Sequence, residues 1–311
     1  MSSLAQVLTR LITNPKIRFG YLSKLGLYNN WSDEKYLKKE YFLYTGKELD
    51  LENPKSFNEK IQWLKLYDRK SIYTTMVDKY AVKKYIANLI GQEYIVPLLG
   101  VWDTPDEINF ESLPQQFVLK TTHDSGGVVV CRNRENMNID EIKKKLWKSL
   151  RTNYYLVHRE WPYKNVPRKI IAEKYLENES GKGLRDYKFF NFSGKSKFVY
   201  ISEGLEDHST ARISFYDFSG KILPFKRLDY KPLDNCIFPE NFQKMKMVSD
   251  LLAEKLNLPF VRTDFYSVNG KIYFSEITFS PCAGLMPISP DKYDMELGKL
   301  IQLPDISRSA E

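Results

Sequence analysis

Two carboxylates stand inside a C-terminal segment that is otherwise apolar and aromatic, VRTDFYSVNGKIYFSEIT. Side chains alternate between the two faces of a strand, so Arg262 shares a face with Asp264, and Glu276 shares a face with Thr278. A two-residue turn at Asn-Gly would place the two pairs on opposite faces, whereas a three-residue turn or a bulge would place all four on one face. We expect the second arrangement, because carboxylates within apolar strands are costly to bury without a positive partner.

A hard cation such as Mg²⁺ is one such partner, since proteins hold it with one or two carboxylates together with substrate phosphates. The pattern therefore predicts a magnesium site at Asp264 and Glu276. An exposed hairpin with harmless charges, or a salt bridge to Arg262, would explain the same residues, and both alternatives stay open at this point.

A lysine leaves an apolar strand immediately before a glycine-containing loop in FVLKTTHDSGGVVVC. Lys120 ends the strand, and the loop contains His123, Ser125, Gly126 and Gly127. Flexible backbone N–H groups can approach an anion closely while the ammonium group supplies a point charge, so the segment is suited to phosphate binding. A plain hairpin turn, with His123 as a structural residue, is the alternative.

Two further segments combine charged and apolar residues in a way that suits a nucleotide. Glu173 and Lys174 end the predicted strand in IIAEKYLE. An adenine ring needs an apolar slot with a few hydrogen-bonding groups at its edge, and a strand that leaves the core can supply both. Lys188, in the aromatic sequence DYKFF, is explained equally by a phosphate contact or by a salt bridge.

The elements that must position these residues follow from apolar periodicity, and the chain contains no internal repeat. A capping box at Ser56 and Glu59 predicts a helix that runs to Leu66. Further helices are predicted over 74–89, 139–150 and 243–256. Strands are predicted over 95–98, 117–120, 128–131, 169–175, 185–192, 197–202 and 212–217, with a final hairpin over 260–278. Residues 105–113 are predicted to form a turn and connector.

Length and composition are those of an ordinary globular protein, with 311 residues, of which 42% are hydrophobic and 28% charged. No stretch approaches the roughly 20 apolar residues that span a bilayer, and the N-terminus lacks a signal-peptide pattern. Cys131, Cys236 and Cys282 are too widely spaced for a disulfide framework or a metal knuckle. We therefore expect a cytoplasmic protein.

The net charge of +8 and the pI near 9.0 favour anionic partners. Nucleic acid is disfavoured, because the basic residues are dispersed and no recognition signature is present. Apolar residues from Leu4 to Ile12 recur at helical spacing among basic residues, so this helix either packs on its own domain or makes a peripheral contact with the anionic inner face of the membrane. No feature of the sequence indicates an oligomeric state.

The order of these features resembles the ATP-grasp superfamily: a lysine helix, a lysine strand with a glycine loop, a Glu-Lys strand, a strand lysine and a carboxylate hairpin. More closely, the segments SFNEKIQWLKLYDR, DKYAVKKYI, FVLKTTHDSGG, IIAEKYLE, DYKFFNFSGK and RTDFYSVNGKIYFSEITFSP are similar to the TupA-like ATP-grasp family of bacterial surface-polysaccharide gene clusters. The resemblance runs from about Asn53 to Leu300, and the final hairpin is its most specific part.

The resemblance implies an α+β ATP-grasp fold in which two lobes grip ATP. The expected organisation is an N-terminal helical extension over residues 1–55 and an α/β region over 56–115. A small lobe with the glycine loop would follow over 116–175, and a C-terminal lobe with the metal-binding hairpin over 176–311.

The resemblance also implies the residues that contact ATP, namely Lys79, Lys120, Ser125, Gly126, Gly127, Glu173, Lys174, Leu176, Glu177 and Lys188. The phosphates would be contacted by Lys79, Lys120 and Lys188 and by the loop over 121–128. Glu173, Lys174 and Leu176 would border the adenine, and Glu177 would hold the ribose.

Magnesium would be held by Asp264 and Glu276, and Arg262 and Lys188 would be catalytic. Arg262 would stabilise the transferring phosphoryl group or the acyl intermediate. Thr278 stands where many ATP-grasp enzymes carry an Asn ligand, so a second metal site would be weaker or completed by water. Contacts to an acidic acceptor are predicted at His123, His208 and Arg212.

The reaction implied by the resemblance is carboxylate activation: the carboxylate attacks the γ-phosphate of ATP, and an amine displaces phosphate from the acyl phosphate to leave an amide. The implied carboxylate is a uronic acid of a surface polysaccharide or its precursor, including a lipid-linked one, and the amine is an amino acid or another amine. A glycosyltransferase is a rival, although the chain has no Asp-x-Asp triplet in a suitable loop. A polysaccharide kinase and a non-catalytic nucleotide-binding scaffold are the other rivals.

Overall fold

Two antiparallel sheets organise the chain. The protein is described by a computed structural model over residues 9, 11–177, 183–204, 210–233 and 238–305. In chain order the strands are β1 (Leu98–Trp102), β2 (Phe117–Thr121), β3 (Val128–Cys131), β4 (Ile170–Lys174), β5 (Arg185–Phe192), β6 (Lys195–Glu203), β7 (Arg212–Tyr216), β8 (Lys226–Arg227), β9 (Phe260–Val268), β10 (Lys271–Thr278) and β11 (Ile288–Ser289).

The helices connect and cover these sheets. They are α1 (Pro15–Lys24), α2 (Asp33–Thr45), α3 (Phe57–Tyr67), α4 (Ile72–Val77), α5 (Ala81–Ile90), α6 (Ile139–Arg151), α7 (Tyr155–His158), α8 (Phe242–Leu256) and α9 (Lys292–Lys299). The amphipathic helix predicted for Leu4 to Ile12 falls mostly outside the described residues. Within the described part, no helix is long and apolar enough to cross a membrane.

The smaller sheet has the strand order β1-β4-β2-β3 and carries Lys120 and Glu173. Helix α6 covers its other face, because Leu146 and Leu150 pack with Leu119 and other apolar residues of the sheet. Acidic residues in the first turn of α6 and basic residues in its last turn complement the helix dipole. The apolar stripe of α6 therefore packs on one face of the sheet, and Lys120 and Glu173 lie on the other face.

The larger sheet has the strand order β10-β9-β5-β6-β7. Helix α8 packs on one face through Val248 and Leu252. Part of the opposite face packs on α3 and α9, where Phe57 and Leu297 meet Phe190. The rest of that face carries the charged residues described below.

Several predicted elements are confirmed with small changes in their ends. The capping box of α3 is present, since Ser56 Oγ accepts from the Glu59 N–H at 3.2 Å and Glu59 Oε2 accepts from the Ser56 N–H at 2.8 Å. The glycine-loop strands, the helix over 139–150, the helix over 243–256 and the final hairpin also lie where the sequence places them.

Two predicted elements are wrong in their extent. The helix predicted over 74–89 is divided into α4 and α5, because the Asp78 carboxylate accepts from the N–H groups of Tyr80 and Ala81 and starts a new helix. The strand predicted over 95–98 begins at Leu98 instead, after Pro97, which has no N–H to donate to a sheet. Asp78 thereby turns the chain so that Lys79 lies beside the glycine loop, where its backbone N–H donates to the Thr122 carbonyl at 3.2 Å.

Candidate active site

One rung of the larger sheet, meaning one row of residues paired across neighbouring strands, brings together a predicted catalytic residue and two predicted metal ligands. Asp264 of β9 lies opposite both Glu276 of β10 and Lys188 of β5, and Lys188 lies opposite Tyr200 of β6. Opposed residues of antiparallel strands place their side chains on the same face. The hairpin keeps its two-residue turn, but a bulge between Phe274 and Glu276 shifts the pairing. The predicted same-face arrangement is therefore confirmed, and the bulge produces it.

Arg262 contacts both carboxylates of this rung. Its Nε lies 2.7 Å from Asp264 Oδ1, and its Nη2 lies 2.6 Å from Asp264 Oδ2 and 2.8 Å from Glu276 Oε1. Thr278 donates to the same oxygen of Glu276 at 3.2 Å. Asp264 is fully buried, whereas the Glu276 side chain is 43% exposed. The salt bridge to Arg262 that the sequence left open is thus present, and it joins the two predicted metal ligands.

Lys188 completes a buried network of charges. Its ammonium group lies 2.9 Å from Asp264 Oδ2 and 3.3 Å from Asp186 Oδ1. Burial alone would lower the pKa of Lys188, but these two carboxylates raise it above its ordinary value. Burial alone would raise the pKa of Asp264, but Arg262 and Lys188 lower it. Lys188 and Asp264 are therefore both charged at neutral pH.

A second charged cluster lies on the smaller sheet. The Glu173 carboxylate bridges two lysines, with Lys83 Nζ at 2.5 Å from Oε1 and Lys120 Nζ at 2.6 Å from Oε2. Burial alone would raise the pKa of Glu173, but the ammonium groups of Lys120 and Lys83 lower it to about 2. Two positive charges and one negative charge leave this cluster with a net positive charge.

Lys79 is held close to the glycine loop without a carboxylate partner. Its ammonium group donates to the carbonyl oxygen of Asp124, and no described carboxylate lies within ion-pair distance of it. Burial lowers the pKa of Lys79. A largely buried ammonium group with only a neutral partner is electrostatically suited to an incoming anion.

The base of the glycine loop is fixed by the Asp124 carboxylate. Its Oδ1 accepts from the Gly127 N–H at 3.1 Å and from Thr121 Oγ1 at 2.5 Å, and its Oδ2 accepts from Ser149 Oγ of α6. The Thr121 N–H donates to the Gly127 carbonyl at 2.9 Å. This closed turn leaves no room for a side chain at Gly127, where a Cβ would overlap the two hydroxyl oxygens, whereas Gly126 faces open space.

The tip of the loop contacts the aromatic segment that follows α6. Ser125 Oγ lies 3.0 Å from the Tyr154 hydroxyl, and the Tyr154 ring packs edge-on against Tyr163 at 4.8 Å. His123 is buried beneath the loop, with Nε2 at 3.1 Å from the Thr152 carbonyl oxygen, and burial lowers its pKa. This position suits a residue that supports the loop.

The remaining predicted residues do not join these clusters. Lys174 is exposed on the opposite face of β4 from Glu173 and lines an open groove with Tyr175. Leu176 packs in a small apolar cluster with Val96 and Val268, and Glu177 is exposed. These positions leave the proposed adenine and ribose contacts as predictions.

The predicted acceptor residues separate in the structure. Arg212 lies on edge strand β7, three strands from Asp264, or about 14 Å at the usual strand spacing. Its guanidinium donates to the Pro232 carbonyl at 3.3 Å. His208 lies outside the described residues. The acceptor contacts predicted for His123 and Arg212 therefore lack a shared location.

Sequence reasoning missed several residues of the site. Lys83 lies in the same lysine-rich segment as Lys79, and that spacing was a usable signal. Asp124 and Asp186 are recognised only through the contacts that folding creates, because an acidic residue in a loop or at a strand start has no distinctive pattern.

The two clusters fit a polyanion together with a divalent cation. Lys120 lies on the smaller sheet, Lys188 on the larger one, and Lys79 and Lys83 lie just before and within α5, so a triphosphate between the sheets could meet cationic groups on both sides. Asp264 and Glu276 both contact the Arg262 guanidinium, so their carboxylates lie close together, and a magnesium ion held by both remains a prediction. No described group of three or more His, Cys, Asp or Glu residues could hold a metal, so phosphate or water oxygens would complete the ligands.

A family model described as TupA-like ATPgrasp matches residues 59–302. A search of curated proteins found no match. Among solved structures, D-alanine-D-alanine ligase from Helicobacter pylori aligns over 80% of this chain and 70% of its own, at 18% identity and a TM-score of 0.46.

Two nucleotide complexes also align. D-alanine-D-alanine ligase from Bacillus anthracis with ATP covers 66% of this chain and 54% of its own, at 15% identity and a TM-score of 0.38. The biotin carboxylase–β,γ-ATP complex from Campylobacter jejuni aligns over 80% of this chain and 49% of its own, at 12% identity and a TM-score of 0.40. The aligned region thus spans between about half and seven tenths of these three proteins.

Proposed function

The chain belongs to the TupA-like ATP-grasp family, and we propose that it is a ligase that joins a carboxylate to an amine through an acyl phosphate. Its fold is the α+β ATP-grasp fold, and its cofactors are ATP and Mg²⁺. The observation that carries the proposal is the buried network in which Lys188 and Arg262 both contact Asp264 and Arg262 also contacts Glu276, on one face of the larger sheet.

ATP supplies the phosphoryl group that activates the carboxylate, and phosphate then leaves as the amine attacks. The protein neutralises the charge that accumulates at the reacting centre, and this electrostatic stabilisation usually contributes most to the catalysis of such transfers. Lys188 and Arg262 are rigid donors for this purpose, because both are buried and each is oriented by Asp264. Lys79, Lys83 and Lys120 would hold the phosphates on the side of the smaller sheet.

The glycine loop would exclude water from the transferred group. Its base is fixed by Asp124, while its tip contacts Tyr154 through Ser125. A loop that is rigid at its base and held by a single exposed hydroxyl contact at its tip can open for nucleotide entry and close afterwards.

We propose a uronic acid of a surface polysaccharide or its precursor as the carboxylate substrate. A second guanidinium lies near the catalytic rung: Arg227 Nη1 is 3.3 Å from the hydroxyl of Tyr200, which shares the rung with Lys188, while its Nε and Nη2 pair with Asp229. An acidic substrate at this position would compete with Asp229 for the guanidinium. Burial raises the pKa of Tyr200 to about 12, although Arg227 and Lys188 act to lower it. Tyr200 therefore stays neutral at physiological pH. The net charge of +8 is in keeping with such a substrate.

The test is to incubate the protein with Mg-ATP, uronic-acid glycans and a set of amines, and to identify products by mass spectrometry. An amide whose formation requires ATP, the uronic acid and the amine, and which Glu276→Gln abolishes, is the expected result. A phosphorylated glycan would instead establish the kinase, and transfer from a nucleotide sugar without ATP turnover would establish the glycosyltransferase.

A further inference from the structure

A buried carboxylate lies near the catalytic rung without a partner. Glu160 is only 8% exposed, and no described residue donates a hydrogen bond to its carboxylate or forms an ion pair with it. Buried carboxylates are normally paired, because burial of an unpaired charge costs about 1–3 kcal/mol or more. The Glu160 oxygens are not among the fully enclosed side-chain atoms that lack a partner, so this carboxylate remains open to a cationic ligand.

The backbone around Glu160 is held from outside the family-matched region. Tyr36 of α2 donates to the Val157 carbonyl at 2.6 Å, and His158 Nδ1 lies 2.7 Å from Glu40 of α2. Arg159 adopts a left-handed conformation, with φ of 54°, and its guanidinium donates to the Tyr28 carbonyl at 2.6 Å. These contacts fix the chain immediately before Glu160, although the family match begins only at residue 59.

Glu160 precedes a short helical turn, 161–163, that packs on the same helix as the carboxylate hairpin. Its carbonyl accepts from the Tyr163 N–H at 3.1 Å, and α4 packs against both this turn and β10. Tyr73 of α4 stacks on Phe279, one residue after β10, at 4.5 Å between ring centres. The turn and the carboxylate hairpin are thus packed on the same helix.

The charged and titratable groups around Glu160 come from several elements. Those that interact with it electrostatically are Lys65, His158, Glu40, Glu276, Tyr154, Tyr163 and Cys282. Lys65 is not bound to Glu160, because its ammonium group lies 2.9 Å from both Gln62 Oε1 and the Ala283 carbonyl oxygen. Burial raises the pKa of Glu160, and the acidic neighbours Glu40 and Glu276 act in the same direction.

We propose that Glu160 binds the ammonium group of the amine substrate and accepts its proton. This inference rests on the proposed ligase function and names the residue that prepares its second substrate. An amine is mostly protonated at neutral pH, and the ammonium form has no lone pair for attack on a carbonyl carbon. A carboxylate beside the acyl group can both attract that cation and deprotonate it.

Two protons leave the amine nitrogen in this reaction. One passes from the ammonium nitrogen to Glu160, and the nitrogen lone pair then forms the C–N bond with the acyl carbon. The bond between that carbon and the phosphate oxygen breaks, and the nitrogen gives its second proton to the departing phosphate. Amide and hydrogen phosphate are the products, and Glu160 returns its proton to solvent.

The experiment compares two nucleophiles in Glu160→Gln, with Mg-ATP and uronic-acid glycans as the carboxylate source. Glycine carries an ammonium group at neutral pH, whereas hydroxylamine is already unprotonated and traps acyl phosphates as hydroxamates. We expect amide formation with glycine to fall about 100-fold or more, the usual contribution of a general base, and hydroxamate formation to change less than about threefold. Glu254→Gln, on the exposed face of α8, is the matched control and should leave both rates unchanged.

The role of Glu160 would be wrong, and the ligase reaction would stand, if Glu160→Gln slowed the glycine and hydroxylamine reactions by the same factor. The same conclusion would follow if it did not slow the glycine reaction at all. If wild-type protein forms no hydroxamate at all, the proposed function itself is wrong, and this inference is wrong with it. Should Glu160→Gln fail to fold, Glu160→Asp keeps the charge and moves the carboxylate by one methylene. It should slow the glycine reaction selectively, and an unselective loss would again contradict the proposal.

Discussion

Replacing Glu173 by Gln removes the single negative charge between two buried lysines. The pKa of Glu173 falls from its ordinary value of 4.5 to about 2 in the folded protein. A tenfold change in an ionisation constant corresponds to about 1.4 kcal/mol, so this difference stabilises the folded state by roughly 3 kcal/mol at neutral pH. We expect Glu173→Gln to lower the free energy of unfolding in urea by roughly that amount.

The stabilisation by Glu173 should decrease as the pH falls. A carboxylate whose pKa is lower in the folded state stabilises the fold above its unfolded pKa and loses that contribution as pH falls through the folded pKa. The window here runs from about pH 4.5 down to about pH 2. The difference between wild type and Glu173→Gln should therefore shrink from roughly 3 kcal/mol at pH 7 to roughly 1 kcal/mol at pH 3.

The matched control is Glu203→Gln, which removes a half-exposed partner of Arg185. Partly exposed pairs contribute about 0–1 kcal/mol, so this variant should be nearly as stable as wild type. A difference for Glu173→Gln that is no larger than the control, or that grows as pH falls, would refute the argument that Glu173 is ionised between Lys83 and Lys120.

Other variants test other parts of the site. Asp264→Asn removes the carboxylate that two buried cations share and leaves Lys188 with Asp186 and Arg262 with Glu276, so urea unfolding should show a loss of about 3–5 kcal/mol, and ATP turnover should stop. Gly127→Ala should weaken stability by about 1–3 kcal/mol and raise KM for ATP, because its Cβ would overlap two hydroxyls, while Gly126→Ala should change neither. Lys83→Met should weaken ATP binding in calorimetry at least about tenfold, since a charge-assisted hydrogen bond contributes about 1.5–3 kcal/mol, whereas exposed Lys84→Met should not. Unchanged ATP affinity in Lys83→Met would exclude it from the phosphate site.

Sequence patterns were sufficient for the fold and for the residues that alternate along strands. The strands around the glycine loop and the carboxylate hairpin have strong periodicity and clear turn residues, so their positions followed from spacing. A shared face for Asp264 and Glu276 was expected from an energetic argument that left a three-residue turn and a bulge open, and the structure has the bulge.

Contacts between distant segments could not be predicted in the same way. Lys83 and Lys120 meet at Glu173 only because α5 packs beside the smaller sheet, and no local pattern records that packing. The break at Asp78 was missed because the helical periodicity continues through it, while the carboxylate competes locally for the backbone N–H groups. No local pattern marks Glu160, because the backbone before it is held by contacts with distant residues such as Tyr36 and Glu40 of α2.

In the proposed reaction, the substrate carboxylate is activated by its direct attack on the γ-phosphate of ATP. The most direct measurement uses a uronic acid labelled with ¹⁸O in its carboxylate, with Mg-ATP and an amine, followed by mass spectrometry of the released phosphate. An acyl phosphate requires one carboxylate oxygen to leave with the phosphorus, so we predict one ¹⁸O atom per phosphate, formed in proportion to amide. Phosphate without the label, or label retained entirely in the glycan product, would contradict the account.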